Sequence, residues 1–343
     1  MAKKSSSIPV LSPQPKEKTP AHFIPALEKS TNPSRQWLLF SLLLIVGIFV
    51  ISTVSVTAWG WLQHVKISIN PASTPVPIQT FNVQRTADYA GLEYTVINVQ
   101  YAPSFADDGI QSGATIVRLN MKVANKSSEQ ISVIYYDIAR LLVPKSTALN
   151  PTNVSLSAGP QPGKSETGWI DFSAPQGLQL ASLKLQLGSS QLGEYMVIIP
   201  FTGNFNPSVY SDRTSAQNMD INYYFPYNNP HLLIYHLSSV DIRYAYKGAQ
   251  AKAGQQFYVL HFSVTNPNGF TVSPGFGYDY IRISFNGGPI HPPVDNTLPY
   301  NINAGSKPTN GTVVFTGPAH QGAFMLEFLV QYGNGGSTYT VSL

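Results

Sequence analysis

Most of the chain beyond residue 80 alternates between apolar and polar side chains. Within 115–124, for example, the apolar positions are Val117, Leu119, Met121 and Val123, and polar residues separate them. A period of two turns one face of a β-strand toward a core and the other toward solvent. Clusters of Pro, Gly and Asn interrupt these runs, and no sustained helical period occurs outside one N-terminal segment. The pattern therefore predicts an all-β fold.

The strand pattern also occurs twice. Val117, Leu119, Met121, Val123 and Asn125 match Tyr258, Leu260, Phe262, Val264 and Asn266 at a constant offset of 141 residues. Residues 168–175 then match 311–318 at an offset of 143, a drift that one loop insertion explains. A duplication predicts two tandem immunoglobulin-like β-sandwiches, which we place at 81–203 and 221–343 with a linker at 204–220.

One segment departs from the β-pattern. Residues 37–61 are almost entirely apolar, and no charged residue lies between Arg35 and Lys66. As a helix, residues 37–58 would span roughly 33 Å, enough for the hydrocarbon core of a bilayer. Trp37 at one end and Trp59 and Trp61 at the other would serve as membrane-interface anchors. The segment is predicted to be a transmembrane helix.

The net charge of +4 resides in the first 36 residues, because the remaining residues hold equal numbers of acidic and basic side chains. Positive charge on one flank predicts a cytoplasmic N-terminus, a disordered basic tail (1–36) and extracellular domains behind a Pro-rich stalk (62–80). The alternative is a signal peptide cleaved after Ala58, but the apolar run exceeds the usual length of such peptides. We favour a retained signal anchor with the bilayer as a partner.

The repeated motifs resemble a known type of domain. In each copy a strand ends in Asn (Asn125, Asn266), a Gly-containing turn follows, and a later strand closes in Phe-x-x-Pro (172–175, 315–318). This combination resembles the telokin-like, immunoglobulin-type extracellular domains of unknown function on bacterial surfaces. The resemblance implies a fold and an exported location, and it supplies no catalytic residues.

The sequence gives only weak support for several kinds of catalytic or binding site. The chain has no Cys, which excludes disulfides and thiolate chemistry. Residues 158–165 fit a relaxed phosphate-loop pattern, but Pro160 and Pro162 remove backbone donors and the following residues predict a strand. Asp107 begins an Asp-Asp-Gly turn without the spacing of an EF-hand. We expect no cofactor and no metal site.

Histidine spacing gives no metal motif either. The seven residues are His22, His64, His231, His236, His261, His291 and His320. His231 and His236 would face opposite sides of a strand, and His261 would face away from its core stripe. The balanced charge beyond residue 36 also argues against a nucleic-acid partner.

The second copy is rich in aromatic residues, and the run Tyr223, Tyr224, Phe225 and Tyr227 is the best candidate for a ligand-binding surface. Packing within the strands is the competing explanation for these rings. We expect a non-enzymatic role in adhesion, envelope scaffolding, or binding of a protein or glycan. Two alternatives are a sensor that signals through a partner of the short tail and, least favoured, an extracellular hydrolase or metal-binding protein.

Overall fold

The computed structural model describes residues 77–107, 115–225, 231–329 and 336–343. The predicted tail, the predicted transmembrane helix with Trp37, Trp59 and Trp61, and nearly all of the predicted stalk lie outside these ranges. In the part of the chain that is described, no helix has the length and apolar composition needed to cross a bilayer.

The first half of the described chain folds as two antiparallel sheets around one core. One sheet has the strand order β1-β2-β3-β6-β5 and the other has the order β4-β7-β8. The strands are β1 (Gln79–Tyr89), β2 (Leu92–Ala102), β3 (Thr115–Ala124), β4 (Ala139–Leu142), β5 (Pro151–Val154), β6 (Ser165–Ala174), β7 (Lys184–Leu187) and β8 (Val197–Pro200). A single-turn helix, α1 (Tyr135–Ile138), precedes β4. Leu119, Leu141 and Leu185 are fully buried between the sheets.

The second half repeats this arrangement around a separate core. Its sheets have the orders β9-β10-β13-β17-β16 and β15-β14-β18-β19, and β11 and β12 form an additional hairpin. The elements are β9 (Arg213–Phe225), β10 (His231–Arg243), β11 (Ala245–Tyr246), β12 (Ala249–Gln250), β13 (Gln255–Asn266), α2 (Gly277–Tyr280), β14 (Ile281–Ser284), β15 (Ile290–His291), β16 (Asp295–Asn296), β17 (Gly305–Pro318), β18 (Ala323–Leu329) and β19 (Gly336–Ser342). The prediction of an all-β fold is confirmed.

Side-chain hydrogen bonds are repeated along with the strands. Asn125 Nδ2 donates to Glu129 O (2.8 Å) and to Pro160 O (3.2 Å). Asn266 Nδ2 donates to Phe270 O (2.9 Å) and to Ile302 O (2.8 Å). Both Asn residues are buried, and each therefore ties the loop after its strand to the loop before the partner strand. The two Asn residues, which are 141 residues apart in the sequence, thus have the same structural role.

The predicted linker is partly structured. Residues Pro207–Tyr210 form a 3-10 turn, and Tyr210 packs against the first core. Strand β9 then begins at Arg213, eight residues before the predicted start of the second domain. Residues 213–220 carry little apolar signal because none of them is buried, unlike Ile221 and Tyr223 later in the same strand. Strand β9 therefore begins within the segment predicted as the linker, 204–220.

The two halves are in direct contact. Tyr195 stacks on Tyr244 with ring centroids 4.6 Å apart. Tyr195 N donates to Ala251 O (2.7 Å), and the buried Ala90 N donates to Gln250 Oε1 (2.8 Å). Since these bonds join backbone and side-chain groups from both halves, the halves pack through a specific junction as well as being joined by the chain.

Candidate binding surfaces

The aromatic run predicted as a binding surface divides between core and surface. Tyr223 is only 4% exposed, its ring stacks on that of Tyr280 at 5.0 Å, and its hydroxyl donates to Leu329 O. Tyr224 is 54% exposed on the opposite face of β9, and Phe225 is half-buried against the core. Tyr227 lies outside the described residues. Tyr223 is therefore a packing residue, because alternation along β9 turns it inward.

The loop with the relaxed phosphate-binding pattern leads into a strand. Residues 165–174 form β6, and Lys164 N donates to Gln161 O within the preceding turn. Gly159 has a φ of 148°, and a Cβ at this position would lie 2.2 Å from Ile131 O. The glycine therefore permits a close approach of two backbone segments. Because the residues that follow this loop form a strand and not a helix, the geometry gives a turn that leads into a strand.

Two histidines on the outer faces of the second half pair with carboxylates. His236 Nδ1 lies 2.7 Å from Asp220 Oδ1, and His261 Nε2 lies 2.9 Å from Asp241 Oδ2. His261 follows the buried Leu260 in the strand and faces away from the core, as predicted. In the described ranges, no three His, Asp or Glu side chains converge on a position that could hold a metal ion.

Asp107 has a structural partner that the sequence does not reveal. Its two carboxylate oxygens accept from Arg118 Nη1 at 2.7 and 2.9 Å, and these bonds lower the pKa of Asp107. Arg118 also donates from Nε and Nη2 to the fully buried Asp171, both at 2.8 Å. Its guanidinium carbon lies 4.0 Å from the ring centroid of Phe105 and 3.8 Å from that of Trp169. This Arg118 cluster fixes the start of the β2–β3 loop on the outer face of the sheet.

The junction between the halves contains a polar cleft of about 460 Å³. Asp88 and Lys126 line it from the first half, and Asp212 and Arg243 line it from the second. Burial, with repulsion from Glu93, raises the pKa of Asp88. Burial and repulsion from Asp88 raise the pKa of Asp212 to about 6, against the attraction of Arg243. The Asp212 side chain remains 54% exposed, so its loss of hydration is only partial. The cleft contains both acidic and basic side chains, and its carboxylates lie close enough to repel one another.

The exposed aromatic rings are distributed unequally. In the described part of the chain, the exposed rings of the second half are Tyr224, Phe270, Phe276, Tyr278 and Tyr300, whereas the first half exposes only Tyr136. Phe270 follows the end of β13, and the first half contacts Ala251, just before the start of that strand. A strand of this length spans about 40 Å. The far end of the second half therefore carries exposed rings that no other part of the described chain covers.

The far end also has a regular polar surface. Val272 and Ile302 form an antiparallel bridge, with Val272 N donating to Ile302 O at 3.0 Å and Ile302 N to Val272 O at 2.8 Å. Both side chains are buried, so their neighbours along each segment face outward. We name these outward neighbours the amide–hydroxyl ribbon; its members are Thr271, Ser273, Asn301 and Asn303.

No protein-family model, curated protein or solved structure matches this sequence. The resemblance to telokin-like domains therefore stays a prediction, and the function has to be argued from the surfaces described above. Sequence reasoning identified the aromatic richness of the second half but missed the ribbon and the cleft. The ribbon residues are ordinary loop residues in the sequence, and nothing in their spacing signals that they pair.

Proposed function

We propose that the protein is a single-pass protein of the cell surface, anchored by residues 37–61, with a non-catalytic binding ectodomain of two tandem immunoglobulin-like β-sandwiches. The charge asymmetry around the apolar segment supports the orientation. The repeated strand order and the two separate cores support the tandem arrangement. In this arrangement the first half follows the anchor along the chain, and the far end of the second half is available to a ligand.

The observation that carries the binding role is the set of exposed rings at the free end of the second half. Tyr224, Phe270, Phe276 and Tyr300 are each about half exposed, at 54%, 49%, 51% and 48%. Large exposed aromatic side chains are favourable in an interface because they combine a wide contact area with few rotatable bonds. In the first half the equivalent end packs against the second half, and this difference explains why the rings lie at only one end.

The test uses the full chain reconstituted in lipid nanodiscs and measures its retention on intact cells that lack the protein. We expect the combined change Tyr224→Ala, Phe270→Ala and Tyr300→Ala to weaken retention by about tenfold or more, because several contact rings are lost together. Tyr136→Ala is the matched control, since Tyr136 is 49% exposed but lies in the first half. Equal retention of the triple variant and the wild-type protein would contradict a binding end.

The membrane orientation is tested separately, in cells that express the protein. Because the chain has no Cys, single cysteines introduced by Ser5→Cys and Ser337→Cys can be labelled one at a time. A maleimide that does not cross membranes should label only the Ser337→Cys protein in intact cells, and both proteins after lysis. Labelling of the Ser5→Cys protein in intact cells would reverse the proposed orientation.

A further inference from the structure

The amide–hydroxyl ribbon has hydrogen-bonding groups already fixed in place. Ser273 Oγ donates to Asn301 Oδ1 at 2.6 Å, and Thr271 Oγ1 donates to Asn303 Oδ1 at 3.4 Å. Each hydroxyl thus orients the amide opposite it. Across the described residues, neither Nδ2 group of Asn301 and Asn303 has an acceptor within hydrogen-bond distance, and both side chains are exposed. Two oriented amide donors therefore face solvent.

Aromatic rings lie at both ends of the ribbon. The rings of Phe276 and Tyr300 have centroids 5.2 Å apart and are tilted by 57° to one another, and Tyr300 directly precedes Asn301 of the ribbon. At the other end, the half-exposed ring of Phe270 packs edge-on against His231 at 4.6 Å. The Phe276 end is held by the side chain of Asp279, whose Oδ2 accepts from Phe276 N at 2.8 Å.

Buried groups hold the ribbon from below. Asn266 Nδ2 donates to Phe270 O and to Ile302 O, one carbonyl from each segment of the ribbon. Asn266 is 1% exposed, and it therefore connects the surface to the core of the second half. A surface held in this way loses little conformational entropy when a ligand binds.

We propose that the amide–hydroxyl ribbon and its flanking rings, Phe270, Phe276 and Tyr300, bind an uncharged oligosaccharide. A sugar ring presents apolar C–H faces and a rim of hydroxyls, which match aromatic faces flanking a row of amides and hydroxyls. The four ribbon residues and the three rings carry no charge, so they offer no cationic partner to phosphate, sulfate or carboxylate groups. This inference rests on the proposed binding role and adds the chemical class of the ligand.

The first half cannot offer the same surface. Ile131 lies at the position equivalent to Val272, and its side chain is 3.5 Å from where a Cβ on Gly248 of the second half would lie. Glu129, at the position equivalent to Phe270, lines the polar cleft. The junction with the second half covers this end of the first half, so the described residues of one chain form one such surface.

The test applies the full chain in nanodiscs to an array of neutral, anionic and cationic oligosaccharides and then titrates the best neutral ligand by calorimetry. We expect binding to neutral members, and a loss of affinity of about tenfold or more for Phe276→Ala and for Tyr300→Ala. Tyr300→Phe, which keeps the ring, should bind as the wild type does. Asn301→Asp should weaken binding several-fold because it replaces an amide donor by a carboxylate. Tyr136→Ala serves as the control, and thermal unfolding shows that each variant is folded.

The outcomes separate this inference from the proposed function. Neutral binding that depends on the rings supports both. Retention on intact cells that depends on the rings, without binding to any neutral oligosaccharide, overturns the glycan assignment and leaves the binding role in place, with a protein as the ligand. Preferential binding of charged oligosaccharides, or neutral binding that the ring variants do not change, also overturns the assignment. If the ring variants keep both their retention on intact cells and their binding to oligosaccharides, both proposals are wrong.

Discussion

The two halves place side chains of different character at equivalent positions of their five-stranded sheets. In the first half Arg118 pairs across strands with Asp171, on β3 and β6. In the second half the equivalent strands β13 and β17 place Val259 opposite Val314. All four side chains are nearly or fully buried. A charged pair and an apolar pair thus occupy equivalent positions in two domains with the same strand order.

The loops that cover these pairs differ in the same way. In the first half the loop between β2 and β3 brings Phe105 and Asp107 to Arg118. In the second half the corresponding connection forms the β11–β12 hairpin, and Tyr246 packs near Phe257 at a ring distance of 5.9 Å. In each half the covering loop therefore supplies a group that suits the pair beneath it. This group is a carboxylate for the arginine in the first half and an aromatic ring for the apolar cluster in the second.

The comparison indicates which part of the sheet determines the fold. The inner faces of both sheets keep the same alternation of buried apolar residues, and strand register follows from that alternation. The outer pair can change character as long as its own covering loop compensates for it. The second half also uses its covering hairpin to reach the first half, through Gln250 and Ala90.

The largest effect is expected from breaking the charged pair on one side. Arg118→Ala leaves Asp171 buried without its cation, which typically costs about 3–5 kcal/mol of unfolding free energy. Val259→Ala, the equivalent change in the second half, removes only apolar contacts and should cost about 1.5 kcal/mol. Urea unfolding of the full chain in detergent, followed by hydrogen exchange of peptides from each half, measures both and assigns each loss to its own half.

The control exchanges the chemistry of one half for that of the other. Arg118→Val combined with Asp171→Val installs the valine pair and leaves no unpaired charge between the strands. We expect this double variant to be more stable than either single valine variant, because breaking a buried ion pair is worse than replacing it. Additive losses of stability from the two single changes would show that the two charges act independently. Arg118 and Asp171 would then not form a unit equivalent to the valine pair.

The two buried Asn residues make equivalent hydrogen bonds in both halves. Asn125→Ala and Asn266→Ala should each cost about 1–3 kcal/mol, because each change removes two hydrogen bonds between a buried side chain and backbone carbonyls. Only Asn266→Ala should also weaken ligand binding, since its carbonyl partners belong to the segments of the amide–hydroxyl ribbon. Unfolding and binding measurements on both variants test this, and equal loss of binding would place the ligand elsewhere.

The sequence predicts the inner faces well and the outer faces poorly. Alternation around Leu119 and Leu260, together with the repeated Asn residues, correctly predicts the strands and relates the two halves. The partner of Arg118 could not be predicted, because Asp107 comes from a loop whose path depends on tertiary contacts. The first residues of strand β9, 213–218, carry no apolar period. The ribbon segments around Val272 and Ile302 are 30 residues apart in sequence, so only the fold brings them together.

The smallest effect is expected at the junction, which joins the two halves and has no counterpart within either one. Burial and repulsion from Asp88 raise the pKa of Asp212 to about 6, above its ordinary value of 3.8. Between those two values the folded protein binds the proton more strongly than the unfolded chain does, so this group lowers the stability of the fold as pH rises from about 4 to 6. Asp212→Asn removes that dependence and should make the protein more stable than the wild type at pH 7, by at most about 1 kcal/mol because half of the side chain is exposed and screened. Urea unfolding of both proteins at pH 4 and pH 7 measures the change, and a difference between them that does not vary with pH would show that the two halves do not crowd this carboxylate in solution.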